Sequence, residues 1–130
     1  MEYIYSGEEM KKKLKQVGFF RELPHGDPCA ISLIDSKGGL SDEVAKRAAG
    51  YLGLGALFVA SPGLTIDVLS ESKEVIGGLG VLTDGVWAWP SDLGFYVEKY
   101  KVGLPVEFLK YMESKGFRVA IGFDVGELEL

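Results

Sequence analysis

Cysteine and histidine, on which most metal and nucleophilic sites depend, are almost absent from this chain. It contains one cysteine, Cys29, and one histidine, His25, among 130 residues. A single cysteine excludes an intrachain disulfide and is typical of proteins from a reducing compartment. A structural zinc site takes about four cysteine, histidine or carboxylate ligands, and only the carboxylates are plentiful here. We therefore expect no metal site.

Positive charge is also scarce. The chain has 14 lysines and arginines against 19 aspartates and glutamates, which gives a formal net charge of -5. Proteins that bind nucleic acid draw much of their affinity from lysine and arginine on phosphates, so we do not expect a nucleic-acid partner. The basic run of residues 11–15 follows two glutamates. That order predicts the solvated face of a helix.

Long hydrophobic runs are missing as well. The longest, "YLGLGALFVASPGL" at 51–64, is too short to span a bilayer, which takes about 20 apolar residues. The start of the sequence lacks the basic and apolar regions of a signal peptide. With 47% apolar and 25% charged residues, the composition is that of a folded domain. We expect residues 1–130 to form a single domain of a soluble cytoplasmic protein.

No recognisable catalytic motif is present. His25 lies in the loop sequence "LPHGDPC", and Cys29 begins an apolar stretch that predicts a buried strand. Both are isolated in sequence from a second acid or base, so we expect them to do no chemistry. The glycine clusters "GYLGLG" and "GGLG" lack the strand–turn–helix context of a nucleotide loop, which argues against a cofactor. No spacing selects a pair of carboxylates for acid–base work.

What the sequence does contain is a clear alternation of helix and strand patterns. Capping residues, apolar stripes and closing glycines predict helices at 6–18, 41–53, 91–103 and 104–116. Short apolar or alternating runs predict strands at 29–34, 56–60, 64–69, 79–83, 86–89 and 117–123, with "SPG" at 61–63 as a turn. This order predicts an α+β fold, a two-layer sandwich with a mostly antiparallel sheet and helices packed on one face.

Both tryptophans of the chain lie next to a predicted hairpin. A type I′ turn needs positive φ at both central residues, and Asp-Gly is one of the pairs that adopt it readily. Asp-Gly between two apolar runs therefore indicates such a turn. We predict a two-residue loop at Asp84-Gly85 with Val81 opposite Ala88. Side chains alternate between faces along a strand, so Trp87 and Trp89 share one face.

The tryptophan pair leaves two interpretations. In the predicted register Trp89 lies across Gly80 and shields its backbone. The face that carries Trp87 and Trp89 then packs against the helices as core, or it stays exposed as a platform for a partner.

The segment "LTDGVWAWPSDLGFYVEKYKVGLPVEFLKYM", residues 82–112, resembles uncharacterised bacterial proteins. In these proteins, a D-G-x-W-x-W-P hairpin precedes a helix with the sequence "YYV" and a second helix with the pattern "LP-x-x-F". Some such small acidic proteins are similar to immunity proteins, which bind and neutralise bacterial toxins. The resemblance implies a protein-binding role with a basic toxin as the partner, and it carries no catalytic residues.

We therefore predict a non-enzymatic domain that binds another protein through an acidic and aromatic surface. Seven phenylalanines, six tyrosines and two tryptophans are more aromatics than a core of this size needs. The predicted contact residues are Trp87, Trp89, Tyr96, Glu98, Tyr100, Glu107 and Tyr111. The alternative is a small enzyme or small-ligand-binding domain that uses carboxylates in a pocket between sheet and helices. The sequence predicts no particular oligomeric state.

Overall fold

A computed structural model describes residues 11–130 of the chain. Residues 6–10 of the first predicted helix, with its capping residues Ser6 and Glu9, lie outside the described residues. In chain order the elements are β1 (Lys12–Lys13), β2 (Lys15–Gln16), α1 (Leu33–Ser36), α2 (Asp42–Gly53), β3 (Ala56–Ile66), β4 (Val75–Thr83), β5 (Trp87–Pro90), α3 (Leu93–Tyr100), α4 (Val106–Ser114), a 3₁₀ turn (Val125–Glu127) and β6 (Leu128–Glu129).

The fold is α+β, as predicted. One sheet has four strands in the order β2-β5-β4-β3, and a second sheet pairs β1 with β6. The long pairs β3–β4 and β4–β5 are antiparallel, whereas the two-residue strands β1 and β2 pair in parallel with β6 and β5. Strand β3 therefore forms an outer edge of the larger sheet.

An aromatic cluster between the sheet and the helices forms the centre of the core. Phe108 of α4 stacks on Trp87 with ring centroids 4.6 Å apart, and its ring lies 5.7 Å from that of Trp89. Tyr51 of α2 lies 6.1 Å from Trp89. The indole Nε1 of Trp89 donates to the carbonyl of Leu52 at 3.1 Å, which satisfies its one buried donor. The core interpretation of the tryptophans is correct, and the exposed platform is wrong.

The hairpin that carries the tryptophans has a longer loop than predicted. Thr83 pairs with Ala88 and Leu82 with Trp89, so the predicted register is wrong by two residues. The side chain of Asp84 is the cause, because its Oδ1 accepts from the N–H groups of Val86 at 2.9 Å and Trp87 at 2.7 Å. In this Asx-type turn the Asp84 side chain bonds backbone groups that would otherwise pair across the hairpin, so the ladder begins at Thr83 and Ala88.

The two-residue shift also changes the glycine that Trp89 covers. A Cβ placed on Gly55 would lie 2.6 Å from Cζ2 of Trp89, so the indole packs directly over that backbone. Gly80 instead lies beside Val59, whose carbonyl would be 2.8 Å from a Cβ on Gly80. A shift of two residues preserves the alternation of a strand, and Trp87 and Trp89 still belong to one core cluster.

The described part of the first predicted helix, residues 11–18, is extended. The N–H of Leu14 donates to Glu129 at 2.7 Å, and those of Lys15 and Val17 donate to Val86 and Ala88 at 2.9 and 3.0 Å. Leu14 is buried between exposed lysines, which is the alternation of a strand. The helix prediction fails because pairing with two distant strands outweighs a weak local preference. The lysines are solvated, as expected, but not on a helix.

The predicted strand at 29–34 is wrong. Ser32 caps the short helix α1, and its Oγ accepts from the N–H of Asp35 at 3.2 Å. Cys29, predicted to be buried, is exposed in the loop before this helix. The hydroxyl of Ser32 and the N–H groups of Leu33 and Ile34 all donate to the carboxylate of Glu22. The two N–H groups at the start of the helix are therefore satisfied without a partner strand.

The predicted turn at 61–63 is an irregularity inside one long strand. Ala60 pairs with Gly80 and Leu64 with Gly78, so β3 has two more residues than β4 in this interval. Pro62 cannot donate to a ladder, and it is tolerated in an irregular stretch of an edge strand.

The predicted strand at 117–123 is also absent, and the last strand is β6. Gly116, Phe117 and Gly122 have φ of 64°, 58° and 87°, which interrupts an extended path.

The other helix predictions are confirmed apart from their ends. Ser91 does not cap α3, since its Oγ donates to the carbonyl of Gly78 at 2.7 Å.

Candidate functional site

The structure separates the seven predicted contact residues into two groups. Four keep some exposed surface: Glu98 and Glu107 are exposed, and Tyr100 and Tyr111 are half-buried. The other three are buried in the core and offer no surface to a partner, which corrects their assignment: Trp87, Trp89 and Tyr96.

Two of the predicted tyrosines have their hydroxyls engaged within the fold. The hydroxyl of Tyr96 donates to the carbonyl of Ile66 at 3.0 Å and accepts from the N–H of Val68 at 3.1 Å. Burial raises the pKa of Tyr96 to about 12, so this donor keeps its proton at neutral pH. The hydroxyl of Tyr100 donates to Oδ2 of Asp67 at 2.7 Å. Both tyrosines thereby tie the end of β3 to α3.

Asp67 is the centre of a satisfied polar cluster. It is fully buried and accepts from Tyr100, from Nζ of Lys99 at 3.0 Å and from the N–H of Leu69 at 3.0 Å. Burial raises the pKa of Asp67, but the hydrogen bonds from Tyr100 and Lys99 outweigh it and hold the pKa below its usual value. Lys99 also contacts Glu74 at 2.7 Å. With its oxygens used internally, Asp67 serves the fold.

A second buried pair also has an internal role. The hydroxyl of Tyr51 donates to Oδ2 of Asp84 at 2.5 Å. Burial, with the neighbouring Asp84, raises the pKa of Tyr51 far above its usual value. Because Oδ1 of Asp84 already accepts the two N–H groups of the hairpin turn, the pair has no free group for a ligand.

His25 and Asp92 are different, because their polar atoms are not satisfied. Nε2 of His25 lies 3.1 Å from Oδ2 of Asp92, whose side chain is 1% exposed. The contact is close enough for an ion pair, but its direction falls outside hydrogen-bond geometry, and neither carboxylate oxygen has another partner among residues 11–130. The sequence-based view of His25 as isolated is therefore wrong, although a chemical role is untested.

His25 also lines two small adjoining pockets on the sheet. One of about 170 Å³ lies against the end of β3 and includes Leu64, Ile66 and Leu79. The other, about 100 Å³, lies between His25, Ser61 and the middle of β4. Asp92 thus stands behind the only imidazole of the chain, and that imidazole faces partly open space.

Exposed apolar side chains occur on both strands of the β3–β4 pair, and we call this set the ribbon surface. Leu57 is 59% exposed, Leu64 66% and Val75 59%. Between Arg47 and Asp67 the chain has no charged residue. In the described chain no strand pairs with the outer edge of β3. The ribbon surface consists of Leu57, Val59, Leu64, Ile66 and Val75.

Sequence reasoning missed both the ribbon surface and the His25–Asp92 pair. The charge-free stretch before Asp67 is the sequence signal for the ribbon surface, but by itself it predicts only two ordinary strands. Nothing in the sequence brings His25 to Asp92, since the pairing depends on how the loop before α1 packs beside the start of α3.

Other classes of site find no support in the described residues. Within 11–130, no group of three histidine, cysteine, aspartate or glutamate side chains is placed to hold a metal ion. None of the helices in the same range is long and apolar enough to cross a membrane. Comparisons with protein-family models, with curated proteins and with solved structures find no match to this chain.

Proposed function

We propose that this protein is a binding domain for another protein, and that it takes up an extended segment of its partner beside β3. The observation that carries the proposal is the edge strand itself. Strand β3 has eleven residues and is the outermost strand of its sheet. Peptide recognition by strand addition uses such an edge, with main-chain hydrogen bonds for affinity and side-chain contacts for specificity.

The edge of β3 lacks the charged side chains that protect many natural edge strands. Such strands are usually blunted by charged side chains, prolines, bulges or a covering element. Here Pro62 lies in the middle of the strand, and register shifts occur at 57–59, 60–64 and 65–66, but no residue of β3 is charged. Gly80 has both its N–H and its carbonyl bonded to Ser91, at 3.1 and 2.8 Å. Antiparallel geometry then directs the backbone groups of Ala60, opposite Gly80, to the outer edge.

The charge distribution favours a different protein over a second copy of this chain. Each copy has a net charge of -5, so two copies repel one another at long range. The ribbon surface is neutral and apolar, and it suits an uncharged apolar segment. Basic residues flanking that segment would be attracted by the acidic remainder of the domain. A basic toxin, the partner class implied by the resemblance to immunity proteins, has this chemistry.

The test is a selection of short random peptides displayed on phage against the purified protein. The variant Leu57→Glu/Leu64→Glu serves for counter-selection, since its two charges lie on exposed positions and should leave the fold intact. We expect selected peptides with alternating apolar residues that shift the amide NMR signals of Ala56–Ile66. Peptides that bind the variant equally well, or that shift only signals around Glu98 and Glu107, would contradict the proposal. Concentration-dependent dimerisation in sedimentation, abolished in the variant, would assign the edge to a second copy.

A small-ligand or enzymatic role is the second candidate, and the buried Asp92 beside His25 is the observation that favours it. A carboxylate behind an imidazole at a pocket is an arrangement used for proton transfer. A substrate screen comparing the natural protein with Asp92→Asn tests it. Turnover that is lost in the variant while the fold persists would support this role over a purely binding one.

A further inference from the structure

We propose that the 170 Å³ pocket beside His25 receives a tyrosine side chain of the bound segment, with the phenol hydroxyl on Nδ1 of His25. This inference rests on the proposed function, since it names the residue that the partner supplies. The pocket is adjacent to the strand that would receive the segment. Two of its walls, Leu64 and Ile66, belong to β3 and to the ribbon surface. A segment lying along β3 therefore passes the pocket with its side chains.

The size of the pocket is sufficient for one six-membered ring. An apolar cavity of about 150 Å³ is known to bind benzene in a protein, and this pocket has about 170 Å³. Its apolar walls are Pro24, Leu64, Ile66 and Leu79. An indole has two fused rings and needs more room, whereas an aliphatic side chain leaves the polar group of the pocket without a partner.

That polar group is His25. Thr65 also lines the pocket, but it is only 3% exposed, and its Oγ1 already donates to the carbonyl of Gly77 at 3.2 Å. Nε2 of His25 is buried against the Asp92 carboxylate, so Nδ1 is the ring nitrogen that remains for a ligand. A phenol hydroxyl both donates and accepts, so it can pair with Nδ1 whether or not that nitrogen carries a proton, whereas a phenylalanine ring cannot.

The position of Asp92 supports a binding role over a purely structural one. A buried carboxylate that is poorly hydrogen-bonded destabilises a fold. Asp92 precedes α3 but makes no side-chain capping bond to it. Its carboxylate lies against Nε2 of His25 and has no hydrogen-bond partner within residues 11–130, so its evident effect is to favour a proton on Nε2 through its negative charge. Asp92 is a positioning residue in this proposal.

NMR titration with three amino-acid amides tests the inference. The probes are N-acetyl-tyrosinamide, N-acetyl-phenylalaninamide and N-acetyl-tryptophanamide. We expect the tyrosine amide to bind with a dissociation constant on the order of 1 mM and to shift the His25 ring and Leu64 methyl signals. The phenylalanine amide should bind about fivefold more weakly, for want of one hydrogen bond. Equal binding of tyrosine and phenylalanine, tighter binding of tryptophan, or shifts elsewhere would overturn the proposal.

Variants separate recognition from folding. His25→Phe alone leaves Asp92 buried without its partner, so the double variant His25→Phe/Asp92→Leu is used, because it replaces both polar groups with apolar ones. In this variant the ratio of the dissociation constant of the phenylalanine amide to that of the tyrosine amide should fall to about one. Asp92→Asn should lower the proton occupancy of Nε2, which the ¹⁵N shifts of the ring report, and should reduce the preference. Val106→Ala, at an exposed position on α4, should change neither. A double variant that keeps the preference would refute the role of His25.

The result can be told apart from failure of the proposed function. If selected peptides lie along β3 but the tyrosine amide does not enter the pocket, only the present inference fails. If the amide binds while no peptide lies along β3, the docking proposal fails and the pocket is a site for a free phenol.

Discussion

At the scale of single residues, Glu22 shows how a side chain can replace a strand partner. Its carboxylate accepts from Oγ of Ser32 at 2.5 Å, from the N–H of Leu33 at 2.6 Å and from the N–H of Ile34 at 3.2 Å. Burial raises the pKa of Glu22, but these hydrogen bonds outweigh it and lower the pKa to about 2. The charged carboxylate thus holds the start of α1, where free N–H groups favour an anion.

We predict that Glu22→Gln lowers the free energy of unfolding by about 1 kcal/mol at neutral pH, the usual loss when a helix-capping carboxylate is removed. The folded pKa lies below the unfolded value of 4.5. The contribution of Glu22 is therefore complete above pH 4.5 and disappears as the pH falls towards 2. Urea unfolding of both proteins at pH 7 and pH 3 should show the difference shrinking at the lower pH. The same difference at both values would show that charge on Glu22 is not the cause. Glu107→Gln, on an exposed position, is the matched control.

At the scale of elements, local signals predicted some parts of the fold well and others poorly. Helix α2 was predicted because its cap, Ser41, and its apolar stripe all lie within the helix. The extended course of 11–18 was not, since its hydrogen-bond partners come from β5 and β6, far along the chain. The hairpin register depended on the Asp84 side chain, whose conformation the Asp-Gly pattern does not specify.

The contact between α2, β3 and β5 gives a prediction about glycine. Gly55→Ala should destabilise the protein by about 1–3 kcal/mol, the usual cost of overpacking, because its Cβ would lie 2.6 Å from Trp89 and 3.0 Å from Leu82. Gly50→Ala is the control. A Cβ there meets nothing within 4 Å and lies inside α2, so it should stabilise by about 0.5–1 kcal/mol. Thermal and urea unfolding measure both. A neutral Gly55→Ala would mean that the Trp89 indole can move aside.

At the scale of the whole molecule, the predicted acidic contacts and the ribbon surface lie on different elements. The α+β class followed from the order of patterns in the sequence. The choice of surface did not, because it depends on which strand ends up outermost. The predicted acidic contacts Glu98 and Glu107 are exposed on α3 and α4, whereas the ribbon surface lies on β3 and β4. In our proposal the acidic residues attract the partner and the ribbon surface holds it.

This division predicts the kinetic effect of reversing those charges. Glu98→Lys/Glu107→Lys should slow the association of a selected, lysine-flanked peptide a few-fold at low salt and leave dissociation nearly unchanged, because rim charges act mainly on the encounter rate. The effect should fade as added salt shortens the Debye length to about 8 Å. Stopped-flow fluorescence at two salt concentrations measures it. A change confined to the dissociation rate would place these glutamates in the interface itself.

The parallel pairing of β1 with β6 has a consequence for how the protein folds. Lys12 pairs with Leu128, so the two strands come from opposite ends of the described chain. Forming this pair closes a loop that contains nearly every other element. The chain entropy lost on closing the loop opposes the pairing, and only two residues on each strand stabilise it. The β3–β4–β5 meander and the helices beside it can assemble without that closure. Folding is therefore expected to end with the β1–β6 pair, and local opening in the native state is expected to begin there.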